Sequence, residues 1–394
     1  MKRFLLSILS LLCIASSYAI SLNGVEYTID TLSMFPAGPG TTYYELRLLR
    51  ADNGKGRLDA FLLAVDTRDP YVKVEQVLGT GKITGTETPS KMATRSTTEN
   101  KIFFAGANGD FFTTQDDQST SAYHEVGLPV STTIVNNEYA HTPIANRTKR
   151  RLGAIDADGK GITANKHSIS MNLDLADTTL EIKHANYLRK DNELVLYNIH
   201  NGTTTATNAY GTEVQIQLLD GEKWQTSGIM RAKVTKVEDQ VGSMPLDKDH
   251  AVLSGHGTMA TELLKLKVGD EITLDFEIKF DDELVNIAQA IGSDNYTQIL
   301  VNGVVAQDGF WNELHPRTGF GASYTRDTVY MLVVDGRGVS TGCTTKVLAE
   351  ILQHYGAYNA VNWDGGGSSC VYVRPLGPMN NGSDGQERAC GNGM

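Results

Sequence analysis

The 394-residue sequence is short of cationic side chains: 35 Lys and Arg stand against 46 Asp and Glu, a formal net charge of −11. A chain this acidic lacks the positive face that phosphate backbones attract, which excludes a general nucleic-acid binder. Any anionic substrate must then be held by a few local arginines against an unfavourable overall field. Proline is scarce, at 10 residues beside 39 glycines, so tight turns between strands are expected rather than stiff linkers. Beyond the N-terminal segment no apolar run approaches the ~20 residues that span a bilayer as a helix. CxxC pairs and an HExxH helix are missing, so zinc has no ligand pattern. Also missing are a GxSxG elbow, a Walker loop and a dinucleotide fingerprint, which removes three common hydrolase and cofactor-binding designs. Ca²⁺ could lie near the acidic loops, but no ligand spacing defines a site and no cofactor is required.

Cysteine is rare as well. Of four, Cys13 lies in the apolar start, leaving Cys343, Cys370 and Cys390. An odd number suits one disulfide and one buried thiol, and Cys370 with Cys390, flanking one Gly-rich loop, is the pair expected.

What is present begins with an export signal. Lys2 and Arg3 precede an apolar run over residues 4–14, and Ser17 and Ala19 supply small residues for cleavage near Ala19. This pattern predicts a signal peptide over residues 1–19 and a periplasmic or extracellular protein. No linker or repeat divides the remainder, so residues 20–394 are expected to form one domain. Strands are predicted at 43–49, 57–65 and 72–77, then through a strand-rich elaboration over about 150–285 that includes 215–219 and 229–237. Within it Ile272, Leu274, Phe276, Ile278 and Phe280 alternate strictly, the mark of a strand with one buried face. The last part, about 286–394, joins residues 102–112 as the motif-rich region. It carries a β-run at 328–334 and short strands at 360–363 and 370–373. Between the first two, Val347, Leu348, Ile351, Leu352 and Tyr355 share one face of a helix over 344–355, ended by Gly356. The predicted class is α+β: strand-rich mixed sheets with a few helices packed against them.

The sharpest local feature is the loop Asp364, Gly365, Gly366, Gly367, Ser368, Ser369 between two β-runs. Three glycines leave the backbone bare, so their amides can converge on an anion, although a flexible turn has the same composition. Arginines follow the same habit of sitting beside turn residues: Arg317 after His315 and Pro316, Arg337 after Asp335 and Gly336, Arg388 after Glu387. A guanidinium is a forked donor matched to phosphate oxygens, yet a lone surface arginine is more often a weak ion pair. Asn108, Gly109 and Asp110 form a further polar turn before Phe111 and Phe112, and either a hairpin turn or a sugar contact fits it. His124, His200 and His256 show no regular spacing.

Taken in order, Asn108–Phe112, the His315-Pro-Arg-Thr-Gly319 and Val333-Val-Asp-Gly-Arg337 segments, Asn362-Trp-Asp-Gly-Gly-Gly-Ser368 and Glu387-Arg388 resemble the phosphodiester glycosidase family. The resemblance runs from about residue 25 to the end. It implies a hydrolase that cleaves a sugar-1-phosphodiester, of the α-N-acetylglucosaminyl type, at the anomeric carbon. It further implies a secreted microbial relative, since the chain lacks the family's Cys-rich module and membrane anchor. Carried over by motif, Asp364, Glu387, Arg317 and His315 are the expected catalytic residues. Asn108, Thr318, Asp335, Arg337, Asn362, Gly365, Gly366, Gly367, Ser368 and Arg388 are the expected substrate contacts. Two departures stand out: Trp363 replaces a usual Leu, and Asp110 replaces a usual Gly, so Asp110 inherits no family role. A glycan-binding protein without turnover, and a phosphodiesterase acting on a surface polymer, are the alternatives.

Overall fold

The computed structural model describes residues 18–52, 56–114, 126–143, 151–293 and 298–394. Apart from Tyr18 and Ala19, which open the strand Tyr18–Leu22, the expected signal peptide lies outside these residues, as do the Asn53-Gly54 turn and His124.

Strands dominate. A nine-stranded, wholly antiparallel sheet starts from Tyr18–Leu22, Val25–Gly38, Thr41–Arg50 and Arg57–Asp66. It continues through Thr328–Val334, Arg317–Ala322 and Asn359–Trp363, so distant parts of the chain meet at its centre. The middle of the chain forms an eight-stranded sheet that closes on itself. His167–Asp174 pairs both with Thr179–Ala185 and with Glu271–Phe280. Closure leaves few edges exposed and encloses a core of alternating inward residues. Glu271–Phe280 shows the alternation read from sequence: Ile272, Leu274, Phe276, Ile278 and Phe280 are all buried there.

The α-helices are three among the described residues, of 8, 6 and 10 residues. The molecule is therefore strand-rich, with less helix than an α+β class suggests. None of these helices is long and apolar enough to cross a membrane.

The longest, Thr345–His354, begins where the Thr344 hydroxyl accepts the Val347 N–H and lays Val347, Leu348, Ile351 and Leu352 on the nine-stranded sheet. Burial of such side chains contributes about 2 kcal/mol each. Gly319 permits the close approach, since a Cβ there would sit 3.0 Å from Leu348 and Leu352 side-chain carbons. The helix thereby fixes the sheet whose ends carry the motifs.

Two expectations fail. The run 72–77 is not a strand: only Val77 and Leu78 pair, with Gly393 and Asn392. Its β-forming residues found no neighbouring strand to pair with, and propensity alone does not make a ladder. Cys370 and Cys390 do not form the expected disulfide, and Cys343 is also a free, buried thiol. The Cys370 Sγ instead lies 3.5 Å from Glu387 Oε1, and the Cys390 Sγ lies 3.5 Å from the Arg388 carbonyl.

Candidate active site

Strand Asn359–Trp363 runs antiparallel to Arg317–Ala322, with Thr318 opposite Trp363. The chain then leaves the nine-stranded sheet through Asp364, makes one 3₁₀ turn over Gly366–Ser368, and enters Val371–Val373, which pairs with Ala105–Ala107. The Gly-rich loop is therefore a bridge between two sheets. Gly366 has φ +63°, and a Cβ there would stand 3.1 Å from Arg337 Nη2. Both its conformation and the closeness of the guanidinium call for glycine.

Beneath the loop lies a buried polar clamp. The Asn108 amide donates to the Asp364 carbonyl at 2.8 Å, while its Oδ1 accepts from the Thr318 hydroxyl at 2.9 Å and the Cys370 N–H at 3.0 Å. Asp364 N–H in turn donates to the Gly109 carbonyl at 3.0 Å. On the far side Asn380 grips the same loop, donating to the Ser369 carbonyl at 3.0 Å and accepting from Val371 N–H at 2.9 Å. Asp335 holds Asn380 at 2.9 Å and the Asn381 N–H at 2.9 Å. Burial raises the Asp335 pKa, against the pull of those two hydrogen bonds. Asn108, Thr318, Asp335 and Asn362 are all almost inaccessible. They shape the loop from within and do not present side chains at its surface.

Above the loop are the charges. The Asp364 carboxyl accepts the Gly365 N–H at 2.9 Å. Burial pushes its pKa up to about 6, opposed by the Ser368 hydroxyl, the Gly365 amide and the Arg388 charge. Arg388 lies over Gly367, bound to Asp384 through Nε at 2.7 Å. Arg337 lies over Gly366 with its own backbone at φ +60°, a left-handed conformation uncommon for a long side chain. Its Nε donates to His315 Nδ1 at 3.4 Å, which leaves the imidazole proton on Nε2. Among the described residues Arg337 has no carboxylate within ion-pair distance; Arg388 has Asp384. Desolvation, then the charges of Arg337 and Arg317, hold the His315 pKa below its ordinary value, with Glu313 opposing.

The loop thus brings together Asp364, Arg337, Arg388, His315 and Ser368, and turns other expected residues to different tasks. Gly365 N–H is taken by Asp364, and Gly366 N–H donates to the Pro316 carbonyl at 2.8 Å. An anion nest built on those two amides is therefore not available, because folding has already satisfied them. Arg317 is buried, its fork spent on the carbonyls of Cys343 at 3.2 Å and Glu313 at 2.9 Å, with Trp311 stacked 5.6 Å away. Glu387 accepts the Ser90 N–H at 2.7 Å as well as its hydroxyl, and so anchors the start of helix Pro89–Ser96. The sequence reasoning missed Asn380 and Asp384, and named Ser369 in the loop without giving it a role. Asn380 and Asp384 lie in the polar run between Val371–Val373 and Glu387, where no periodic pattern singles out one residue. Among the described residues no group of three or more His, Cys, Asp or Glu is arranged to hold a metal ion.

Residues 224–394 match the model of the phosphodiester glycosidase family, so the motif resemblance is met across the region that contains this loop. No curated protein matches the chain. Among solved structures, a hypothetical protein of Synechocystis is 16% identical with a TM-score of 0.61 over 90% of this chain. The chain spans 61% of that protein's length. A Burkholderia pseudomallei protein classed as exported is 16% identical with a TM-score of 0.65, covering 95% of this chain and 97% of its own. These two share the fold. The catalytic domain of zebrafish N-acetylglucosamine-1-phosphodiester α-N-acetylglucosaminidase, auto-inhibited by its pro-peptide, is 12% identical with a TM-score of 0.45, over 93% and 86% of the two chains.

Proposed function

We propose that the chain is an exported hydrolase that cleaves a sugar-1-phosphodiester, of the α-N-acetylglucosaminyl type, at the anomeric carbon with phosphate as leaving group. One observation carries this: a carboxyl group with its pKa raised to about 6 lies in the same short loop as two glycines covered by guanidinium groups. Support for the substrate class comes from the family match over residues 224–394. The N-terminal charge and apolar pattern support export.

The chemistry follows from the leaving group. A phosphate monoester is a weak base, so its departure needs charge stabilisation more than protonation. Arg337, without an ion-pair partner among the described residues, and Arg388 would hold the phosphate oxygens with forked donors. Asp364, ionised above its pKa, would take the proton of a water attacking C1 or stabilise the positive charge that develops on the sugar ring. Neutral His315, with its proton on Nε2, would add a donor beside Arg337 without adding a positive charge. Arg317 and Glu387 move from catalysis to support: the first shapes the His315 segment, the second anchors Ser90.

The test is release of sugar from UDP-GlcNAc and from a synthetic GlcNAc-1-phosphodiester, run in ¹⁸O-labelled water. Cleavage at carbon puts the label in the sugar, and Arg337→Ala and Asp364→Asn should each lower the rate by at least about 100-fold. Label in phosphate would mean attack at phosphorus and a polymer phosphodiesterase. Tight sugar binding in calorimetry without product would mean a glycan-binding protein.

A further inference from the structure

The third glycine of the loop makes room for an ion pair. Any Cβ at Gly367 would collide with both Arg388 Nη2 and Asp384 Oδ2. The bare backbone thus lets a guanidinium and a carboxylate lie side by side on the loop. Asp384 Oδ2 meets Arg388 at two nitrogens, Nε at 2.7 Å and Nη2 at 2.5 Å. One edge of the fork is spent in this way, while Nη1 reaches the Ser368 hydroxyl at 3.5 Å.

An exposed ion pair between near neighbours in the chain is by itself worth little. This one is placed by the fold. The Asn380 side chain and the Asn381 N–H both donate to the buried Asp335, at 2.9 Å each. A turn follows at once, in which the Gly385 N–H donates to the Gly382 carbonyl at 2.9 Å. Asp384 stands inside that turn, and Gly385 closes it with φ +75°. The carboxylate is thus carried to the loop by the same Asp335 that holds Asn380 beneath it.

The consequence is electrostatic. Guanidiniums stand over two adjacent glycines in different company: Arg337 has no carboxylate within ion-pair distance among the described residues, and Arg388 has Asp384. Above the Asp364 pKa of about 6, the two guanidiniums are matched by two carboxylates. A ligand with one negative charge is repelled by Asp384 once. A second charge on the same phosphorus meets that repulsion again. Even in bulk water two unit charges about 4 Å apart change an affinity by about fivefold.

We propose that Asp384 sets the charge this seat accepts, favouring a phosphodiester, with one negative charge, over a phosphate monoester with two. The inference rests on the reading of Arg337 and Arg388 as the holders of the substrate's phosphate. It assigns Asp384 no part in the bond-breaking step: its carboxylate acts on the ligand through charge, from beside Arg388.

Two inert ligands test this without turnover: the C-glycosyl phosphonate of N-acetylglucosamine, in which CH₂ replaces the bridging oxygen, and its monomethyl ester. At about pH 8.5 the first carries close to two negative charges and the second one. Calorimetry on the full chain gives the ratio of their dissociation constants in wild type, Asp384→Asn and Asp384→Glu. Asparagine keeps an acceptor for Arg388 and removes the charge, whereas glutamate keeps the charge. Asp384→Asn should move the ratio by about fivefold towards the dianion, and Asp384→Glu should leave it within about twofold of wild type. A change of shape alone would move both ligands together and leave the ratio where it was. An unchanged ratio in Asp384→Asn, or an equal shift in Asp384→Glu, overturns the role of Asp384. If wild type still releases sugar from the GlcNAc-1-phosphodiester, the proposed reaction survives that result. A wild type that binds neither ligand and releases no sugar overturns both, because the phosphate seat itself is then wrong.

Discussion

Replacing Asp364 by Asn should change stability in a way that depends on pH, and the size of that change can be worked from the site. Burial raises the carboxyl from its usual 3.8 to about 6 in the folded chain, net of the Ser368, Gly365 and Arg388 interactions that favour the ion. Between those two values the folded protein keeps a proton that the unfolded chain has released. Stability then falls as pH rises, by about 1.4 kcal/mol per pH unit. The window from 3.8 to 6 is therefore worth about 3 kcal/mol, all of it lost by pH 8 and none of it below pH 3.8. Asparagine does not titrate. Its other differences from a neutral carboxyl group, including the bond from Gly365 N–H, are the same at every pH and cancel when two pH values are compared. The stability of Asp364→Asn relative to wild type should thus rise by about 3 kcal/mol from pH 3.5 to pH 8, measured by urea unfolding at both ends of the range. A difference flat with pH, or a variant that loses ground as pH rises, would refute the assignment of Asp364 as a desolvated acid. A strained carboxylate kept for chemistry is the physical meaning of that penalty.

The same ionisation sets the rate. If Asp364 acts as the carboxylate, kcat/KM for a sugar-1-phosphodiester should climb with pH through about 6, and a profile flat from pH 5 to 8 would remove it from the chemistry. Gly366→Ala should cost about 1 kcal/mol through its positive φ and raise KM by displacing Arg337, seen by urea unfolding and steady-state kinetics. Asn108→Ala would strand the Asp364 carbonyl and Cys370 N–H inside the protein; a loss of about 3 kcal/mol is expected, with kcat falling although Asn108 never reaches the surface. Leu348→Ala, at a fully buried position on the helix–sheet contact, should cost about 3 kcal/mol in urea unfolding and leave KM unchanged.

Legibility in the sequence tracked how local the physics is. Glu271–Phe280 and Thr328–Val334 could be read to the residue because burial on one face, or on both, writes its own period into the chain. Helix Thr345–His354 was legible for the same reason, with Thr344 and Gly356 marking its ends. Residues 72–77 have strand composition, but pairing needs a neighbour, and no neighbour can be read from the segment itself. The closed eight-stranded sheet was hidden too, since nothing in residues 167–174 announces that they pair with 271–280.

The site divides along the same line. Asp364 and the glycines were conspicuous because a bare backbone between two β-runs is a local signal. Whether an arginine faces substrate or carbonyls is not. Arg317 and Arg337 both sit beside turn residues, yet Arg317 lies on a fully buried strand and finds two carbonyls, while Arg337 stands in an exposed loop and meets His315. The difference is made by residues that come from elsewhere in the chain: Asn380, through Asp335 and Ser369, ties the Arg337 turn to the glycine loop. An anion site here depends less on the Gly365 and Gly366 amides, which the fold has used, than on Arg337 above them, which has no carboxylate within ion-pair distance among the described residues.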